Sequence, residues 1–174
     1  SELGLFYFAG HGMQINGANY LIPLEINFQE EYEVEFEAIE ANRILQSMKS
    51  AGNPYNIVIL DACRDNPFKK TFRKYVKGLA KMDAPPGTLL AYATTAGSVA
   101  EDGTGRNGTY TKALLRNLQK PGIHVRDVFN KTGLEVMDET KQMQTPWVSN
   151  SPFPDIYFAG KARNSLTIES DPIG

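Results

Sequence analysis

A cysteine and a histidine carry the clearest chemistry in this sequence. Cys63, the only cysteine of the chain, follows an apolar run at 56–60, and His11 follows a second apolar run at 3–8. In an open parallel α/β sheet, the ends of such strands line the crevice where ligands bind. A thiol next to an imidazole is a nucleophile next to its base. The sequence therefore predicts that Cys63 attacks an acyl group and that His11 takes up the proton.

The residues around Cys63 favour a reactive thiol. Arg64, Asp65 and Asn66 follow it, and a polar, partly exposed setting keeps a thiol accessible. A nearby imidazolium would lower the pKa of that thiol and populate the thiolate. The alternative is a structural role, because a lone cysteine is more often a small buried apolar residue.

Two glycines flank His11, and they favour a binding role over a purely structural one. Gly10 and Gly12 allow backbone conformations that are closed to other residues, and they let a ligand approach closely. The backbone amides of Gly12 and Cys63 are then candidates for an oxyanion hole. Without such a ligand, His11 would be an ordinary hydrogen-bonded histidine.

The sequence does not predict a metal or nucleotide site. His11, Cys63 and His124 are too far apart in the chain for a zinc-ligand spacing. The acidic stretch 30–40 lacks the Asp and Gly pattern of a calcium loop, and the glycines at 103–108 lack the spacing of a phosphate-binding loop. We expect His124, which precedes a predicted helix, to be a surface residue.

Length, charge and composition predict one globular domain. The chain has 174 residues and a formal net charge of −2, so neither nucleic-acid binding nor disorder is indicated. Its apolar runs are too short to cross a membrane. A single cysteine excludes an internal disulfide and fits a reducing, cytoplasmic location. We assign residues 1–160 to the domain and 161–174 to a tail or linker, and expect the N-terminal part of the domain to precede residue 1, because the first residues enter a strand at once.

Local patterns predict strands that alternate with helices, which indicates an α/β fold with a mostly parallel sheet. The Asn16-Gly17 pair predicts a turn, and residues 51–54 predict a helix end. The predicted strands are 3–8, 56–60, 88–92 and 155–158, and the predicted helices are 36–48, about 110–119 and 124–140.

Four segments in order resemble one family, the caspase-like clan of peptidases. Residues 6–12 (FYFAGHG) resemble its histidine motif and residues 57–64 (IVILDACR) its cysteine motif. Residues 92–103 resemble its specificity loop, and residues 107–115 the start of the helix that follows. The similarity covers about residues 3–160 and is closest to bacterial caspase-like proteins, relatives of metacaspases and orthocaspases.

The resemblance implies a caspase-haemoglobinase three-layer sandwich whose N-terminal strands are missing from this chain. It also implies a cysteine endopeptidase that acts on proteins or peptides through a Cys63–His11 dyad, with Gly12 and Cys63 as oxyanion donors and no cofactor. Calcium activates many metacaspases, but Lys70 stands where an acidic neighbourhood is expected, so calcium activation is not predicted here.

Charge predicts the substrate preference. Asp61 stands where animal caspases carry a pocket glutamine, and Asp102 falls near the position of their pocket arginine. Carboxylates in a partly buried pocket favour a cation, so the chain is predicted to cleave after Arg or Lys. Ala9 departs from metacaspases, which often carry a serine there, and removes one pocket hydroxyl. The alternative is that Asp61 caps a loop and Asp102 is solvated.

The basic segment 68–82 is a candidate for autoprocessing, because the connection after the cysteine strand is often cut in caspase-like enzymes. It offers the residues Arg73, Lys74, Lys77 and Lys81. A solvated basic loop is the equal alternative.

Two other functions stay open at this point. One is a catalytically inert caspase-like domain that binds partners, and the other is an acyl-transfer hydrolase of another type on a similar sheet. Regulatory domains, partner chains and the oligomeric state are not predicted by these residues.

Overall fold

The computed structural model describes residues 2–24, 26, 28, 30–63, 78–95 and 107–162. In this part of the chain, six strands form one mixed sheet in the order β3-β2-β1-β4-β5-β6. The strands are β1 (Leu3–Ile15), β2 (Ala18–Ile22), β3 (Ile39–Glu40), β4 (Tyr55–Cys63), β5 (Thr88–Tyr92) and β6 (Trp147–Asn150). The helices are α1 (Glu31–Glu37), α2 (Ala41–Ser50), α3 (Thr109–Leu118) and α4 (Val125–Glu139).

Helices cover both faces of the sheet, as the predicted α/β sandwich requires. One core joins β4 and β5 to α3 and α4, through residues such as Ile57, Leu89 and Phe129. A second core lies on the opposite face, where Leu45 of α2 and Leu79 pack on Val58 and Leu60. Because both faces of β4 and β5 are buried, these strands are mostly apolar, as is typical of parallel central strands, with Asn56, Asp61 and Thr88 as buried polar residues.

Parallel pairing is confined to the centre of the sheet. Strand β4 lies parallel to β1 on one side and to β5 on the other, whereas β2, β3 and β6 join by antiparallel pairing. Along β1, β2 pairs only with residues 11–15, and the described residues supply no partner strand for residues 3–10 on that side.

Strand β1 is longer than predicted. It continues through Gly10 and His11 to Ile15, where the predicted turn follows at Asn16 and Gly17, both with positive φ. A two-residue Asn-Gly turn of this kind suits the twist of a hairpin. The expectation that His11 follows a strand is therefore wrong: it lies inside one, because β4 and β2 both supply pairing at that position.

The predicted helix 36–48 is wrong in its first part. The chain forms α1, leaves the helix at Ala38, and starts α2 only at Ala41. Between them, Ile39 and Glu40 pair with β2. Tertiary strand pairing here overrides a helical spacing of apolar residues, and the predicted helix end after Ser50 is confirmed by Gly52 with its positive φ.

The predicted last strand, 155–158, is also wrong. The final strand is β6, which pairs antiparallel with β5. The segment 155–158 instead lies against α4, where the Ile156 carbonyl accepts from the Val125 amide at 2.8 Å. Its apolar residues, Ile156 and Phe158, pack on the core beneath α3 and α4, which explains why it resembles a strand in composition.

Strand β5 and the helices α3 and α4 match their predicted positions closely. In the described part of the chain, no helix is both long and apolar enough to cross a membrane.

Candidate active site

The register of the two central strands brings the predicted catalytic positions together. In the parallel β1–β4 pair, the Cα atom of His11 lies opposite that of Cys63, and this is the last pair of the ladder. Neighbouring strands run about 4.8 Å apart, so the two residues are direct neighbours across the sheet. Cys63 is the final residue of β4, whereas the sequence predicts a strand that ends at residue 60, before Cys63.

The two glycines around His11 are explained by space rather than by unusual backbone angles. Neither has a positive φ. A Cβ atom on Gly12 would come within 3.0 Å of the Ala62 Cβ and of Leu79 Cδ2, and one on Gly10 would come within 2.9 Å of the Phe8 ring. Small residues therefore let β1 and β4 pack tightly where they carry His11 and Cys63.

His11 is open to solvent at this edge of the sheet. Along β1, the residues Leu5, Tyr7, Ala9 and His11 are all exposed, whereas Gly12 is buried. An exposed imidazole can meet a substrate without any rearrangement of the core. The role of the Gly12 and Cys63 amides as oxyanion donors stays a prediction.

Asp61 is a buried residue of β4, not a loop residue. Only 6% of it is exposed, and its Cα partner on β1 is the exposed Ala9. The hydroxyl of Thr111, in the first turn of α3, donates to the Asp61 carboxylate. Thr111 Oγ1 also lies 2.5 Å from the Tyr7 hydroxyl. The site therefore holds a carboxylate two positions before Cys63, and this carboxylate accepts a hydrogen bond from Thr111 of α3.

The charge of Asp61 reaches a buried phenol. Burial raises the pKa of Tyr110 well above its usual value, and the charge of Asp61 adds to this effect. Tyr110 is the residue before Thr111 and is 2% exposed. Both observations indicate a buried, low-dielectric environment on the α3 side of Asp61, in which electrostatic interactions are strong.

Sequence reasoning missed Tyr7, Thr111 and Tyr110. The sequence indicates only that Tyr7 belongs to an apolar strand and that Tyr110 and Thr111 begin a helix. Alternation along β1 could have indicated that Tyr7 faces the opposite way from Phe6 and Phe8, but nothing local predicts that the first turn of α3 meets β4.

Several predicted site residues lie outside the described part of the chain, namely Asp102, Arg73, Lys74 and Lys77. Lys81 is described: it is exposed, and its Nζ lies 5.7 Å from the centroid of the Trp147 ring.

The expectation that His124 is a surface residue is wrong. It caps α4, where its Nδ1 accepts from the Arg126 amide, and its Nε2 lies 3.2 Å from the Pro154 carbonyl and 3.1 Å from Asp155. Its side chain is 12% exposed. His124 therefore joins α4 to the C-terminal segment and takes no part at the sheet edge. Among the described residues, no group of His, Cys, Asp and Glu is arranged to hold a metal ion.

A cavity of about 310 Å³ lies one strand further along the same edge. Its described lining includes Leu79, Tyr92, Thr95 and Trp147, but neither His11 nor Asp61. The candidate site is thus defined by strand register, and not by this cavity.

Comparison with known proteins identifies the family and the fold of this chain. A family model described as "Caspase domain" matches residues 2–157. The structure is similar to the Drosophila initiator caspase Dronc, with a TM-score of 0.54 at 18% identity, over 91% of this chain and 57% of that one. Caspase-1 from Spodoptera frugiperda gives a TM-score of 0.49 at 15% identity, over 92% of this chain and 63% of that one. The chain therefore spans less than two thirds of either structure. A search of curated proteins gave no significant match.

Proposed function

This chain belongs to the caspase-domain family, a family of cysteine peptidases, and on that premise we propose that it is an endopeptidase that cleaves proteins or peptides after Arg or Lys. Cys63 is the nucleophile and His11 the general base. The single observation that supports this assignment is the pairing of His11 with Cys63 at the end of the β1–β4 ladder.

The proposed reaction is acyl transfer in two halves. The Cys63 sulfur attacks the scissile carbonyl carbon while its proton passes to His11. The amides of Gly12 and Cys63 would stabilise the oxyanion of the tetrahedral intermediate. His11 then protonates the leaving amine, and a water molecule, deprotonated by His11, releases the acid and restores the thiol.

The preference for a basic residue rests on Asp61. A carboxylate that is 6% exposed gains much from a cationic partner, because it is poorly solvated on its own. Ala9, opposite Asp61, is exposed and has only a methyl side chain, so a long substrate side chain would approach the carboxylate from the Ala9 side. Asp102 is proposed as a second pocket carboxylate.

We also propose, from the sequence alone, that the enzyme cuts its own segment 68–82 after a basic residue, with Arg73, Lys74, Lys77 and Lys81 as candidate sites. A cytoplasmic location and activity without calcium or any cofactor belong to the same proposal.

Peptide reporters test the function directly. The same peptide, ending in Arg, in citrulline or in Asp, is offered to the wild type, to Cys63→Ala and to Asp61→Asn. We expect the Arg peptide to be cleaved best, Cys63→Ala to abolish cleavage, and Asp61→Asn to lower the ratio of Arg to citrulline cleavage by about 100-fold, the size of one lost buried charge pair.

Each other outcome identifies a different failure. No cleavage by wild type of any peptide would indicate an inert caspase-like domain. Cleavage that persists in Cys63→Ala contradicts the mechanism, and a preference for Asp contradicts the basic pocket. Disappearance of the intact chain in wild type but not in Cys63→Ala checks the autoprocessing proposal.

A further inference from the structure

A short hydrogen-bonded chain connects the surface of β1 to the pocket carboxylate. Thr111 Oγ1 has one proton, and it donates that proton to the Asp61 carboxylate. The Tyr7 hydroxyl, 2.5 Å from the same oxygen, must therefore be the donor to Thr111. The order Tyr7→Thr111→Asp61 ends on the negative charge, which is the direction in which each bond strengthens the next.

We propose that Thr111 is a positioning residue for substrate specificity: it fixes and keeps ionised the Asp61 carboxylate that receives the basic side chain, and Tyr7 acts on Asp61 through Thr111. This inference rests on the proposed function, since it assigns the residues that prepare the pocket of that same site.

The physical argument begins with the location of Asp61. A carboxylate buried beside apolar β4 neighbours loses most of its hydration, and burial by itself favours the neutral, protonated form. A neutral Asp61 could not select a cation. A hydroxyl that donates to the carboxylate favours the charged form instead, and it does so before any substrate arrives.

The location of Thr111 also suits the role. It stands in the first turn of α3, where the helix dipole favours a nearby negative charge. It is half-buried and held by the packing of its neighbours Tyr110 and Ala113, which are buried in the core between the sheet and the helices. The hydroxyl is thus presented to Asp61 from a rigid element, and not from a loop.

Described titratable side chains near Asp61 come from β1 and α3. Tyr7 belongs to β1 and Tyr110 to α3, and on β1 His11 lies two positions after Ala9, the partner of Asp61. Because His11 and Cys63 act in the catalytic step for every substrate, the ratio of Arg to citrulline cleavage removes their contribution and reports on the pocket.

The test compares Thr111→Val, which keeps the shape and removes the hydroxyl, with Thr111→Ser, which keeps the hydroxyl. We expect Thr111→Val to lower the Arg-to-citrulline ratio of kcat/KM about 10-fold or more, the size of one hydrogen bond to a charged group. The loss should fall on KM for the Arg peptide, and citrulline cleavage should change less than Arg cleavage. Thr111→Ser should retain the wild-type ratio.

The pH dependence of this ratio separates positioning from a structural role. Removal of the hydrogen-bond donor should raise the pKa of the pocket carboxylate. As the pH is lowered, the preference for Arg should therefore be lost at a higher pH in Thr111→Val than in wild type. Thr132→Val is the matched control, because Thr132 is buried, donates to the Val128 carbonyl within α4 and accepts from Asn117 at 3.5 Å, away from Asp61. It should lower stability and leave both the ratio and its pH dependence unchanged.

A double-mutant comparison tests Tyr7. Tyr7→Phe alone should lower the ratio a few-fold, and it should have no further effect in the Thr111→Val background, because its action passes through the missing hydroxyl.

The outcomes distinguish this inference from the function on which it rests. A wild type that does not prefer Arg over citrulline, or an Asp61→Asn variant that keeps the preference, overturns both. A preference that depends on Asp61 but is the same in folded Thr111→Val, at every pH, overturns the role of Thr111 alone. If Thr111→Val does not fold, Tyr7→Phe provides the test, because Tyr7 is 41% exposed and loss of its hydroxyl should not disturb the fold. A wild-type Arg-to-citrulline ratio in Tyr7→Phe would then overturn the inference.

Discussion

The two faces of β1 differ in how far their side chains are exposed to solvent. On one face, Phe6 and Phe8 pack against the core formed with α2 and Leu79. On the other, Leu5 is 53% exposed and Tyr7 41% exposed, and Ala9 and His11 are exposed as well. Alternate residues of one strand therefore serve a closed apolar interface and an open polar edge.

Strand β4 shows the same contrast less sharply, because helices cover both of its faces. Leu60 and Ala62 lie in the α2 core, and Ile57 and Ile59 in the α3–α4 core. At Asp61, the face of β4 that packs on α3 and α4 carries a carboxylate in place of an apolar side chain. Apolar packing residues and reactive residues therefore alternate along the same strands. A substitution on one face of the sheet should leave the other face largely unaffected.

The largest expected effect comes from the open face. His11→Ala should lower kcat/KM for the Arg peptide about 10³-fold, within the range for loss of a general base, which corresponds to about 4 kcal/mol of transition-state stabilisation. Because His11 is exposed, the free energy of unfolding in urea should stay within about 0.5 kcal/mol of wild type. Activity within tenfold of wild type would show that another group is the base.

On the buried face, Leu60 of β4 lies in the same α2 core as Phe6 and Phe8. Leu60→Ala should lower the free energy of unfolding by about 2–5 kcal/mol, because removal of a side chain that is 2% exposed leaves a cavity. Leu5→Ala is the matched control on the open face of β1 and should cost less than about 1 kcal/mol. The Arg-to-citrulline ratio should not change in either variant. Equal costs in urea titration would contradict the distinction between the two faces.

A smaller cost is expected where the two strands touch. Gly12→Ala places a methyl group 3.0 Å from the Ala62 Cβ, which cannot move away, and should cost about 1–3 kcal/mol. Gly10→Ala is the comparison: its new methyl group meets the far end of the Phe8 ring, which can shift, so its cost should be lower. Thermal unfolding of both variants measures the difference, and the reverse order would contradict the packing argument.

The smallest effect should come from the charged surface between α3 and α4, far from either face of β1. Burial raises the pKa of Glu135, but hydrogen bonds from Asn117 and Arg116 and the charges of Arg116 and Lys120 bring it below its usual value. A lowered pKa stabilises the fold above the unfolded-state pKa, and that contribution is lost as pH falls through the folded-state pKa.

For so exposed a cluster the contribution is about 0.5 kcal/mol or less. Arg116→Gln should therefore flatten the fall in stability below pH 5 only slightly, as measured by urea titration at pH 7 and pH 3. A loss of several kcal/mol between these two pH values that depends on Arg116 would contradict the comparison.

Local patterns were sufficient for elements that are stabilised by their own periodicity or turn chemistry. Strand β5, helices α3 and α4, and the Asn16-Gly17 turn lie where the sequence predicts them. Local patterns were insufficient to predict elements whose position depends on a pairing partner that is distant in the sequence. The pairing of Ile39 and Glu40 with β2 interrupts a predicted helix, and the choice of Trp147–Asn150 over 155–158 as the last strand depends on which segment reaches β5.

The sequence by itself determined the reactive residue types, the family, and the expectation that a thiol and an imidazole meet at one edge of the sheet, because motifs and apolar runs are local properties. Only the tertiary structure decided that His11 and Cys63 are a register pair, that Asp61 is buried, and that Thr111 and Tyr7 reach its carboxylate. The physical reason is that strand register and the meeting of a helix with a strand follow from packing of the whole chain, which no short segment contains.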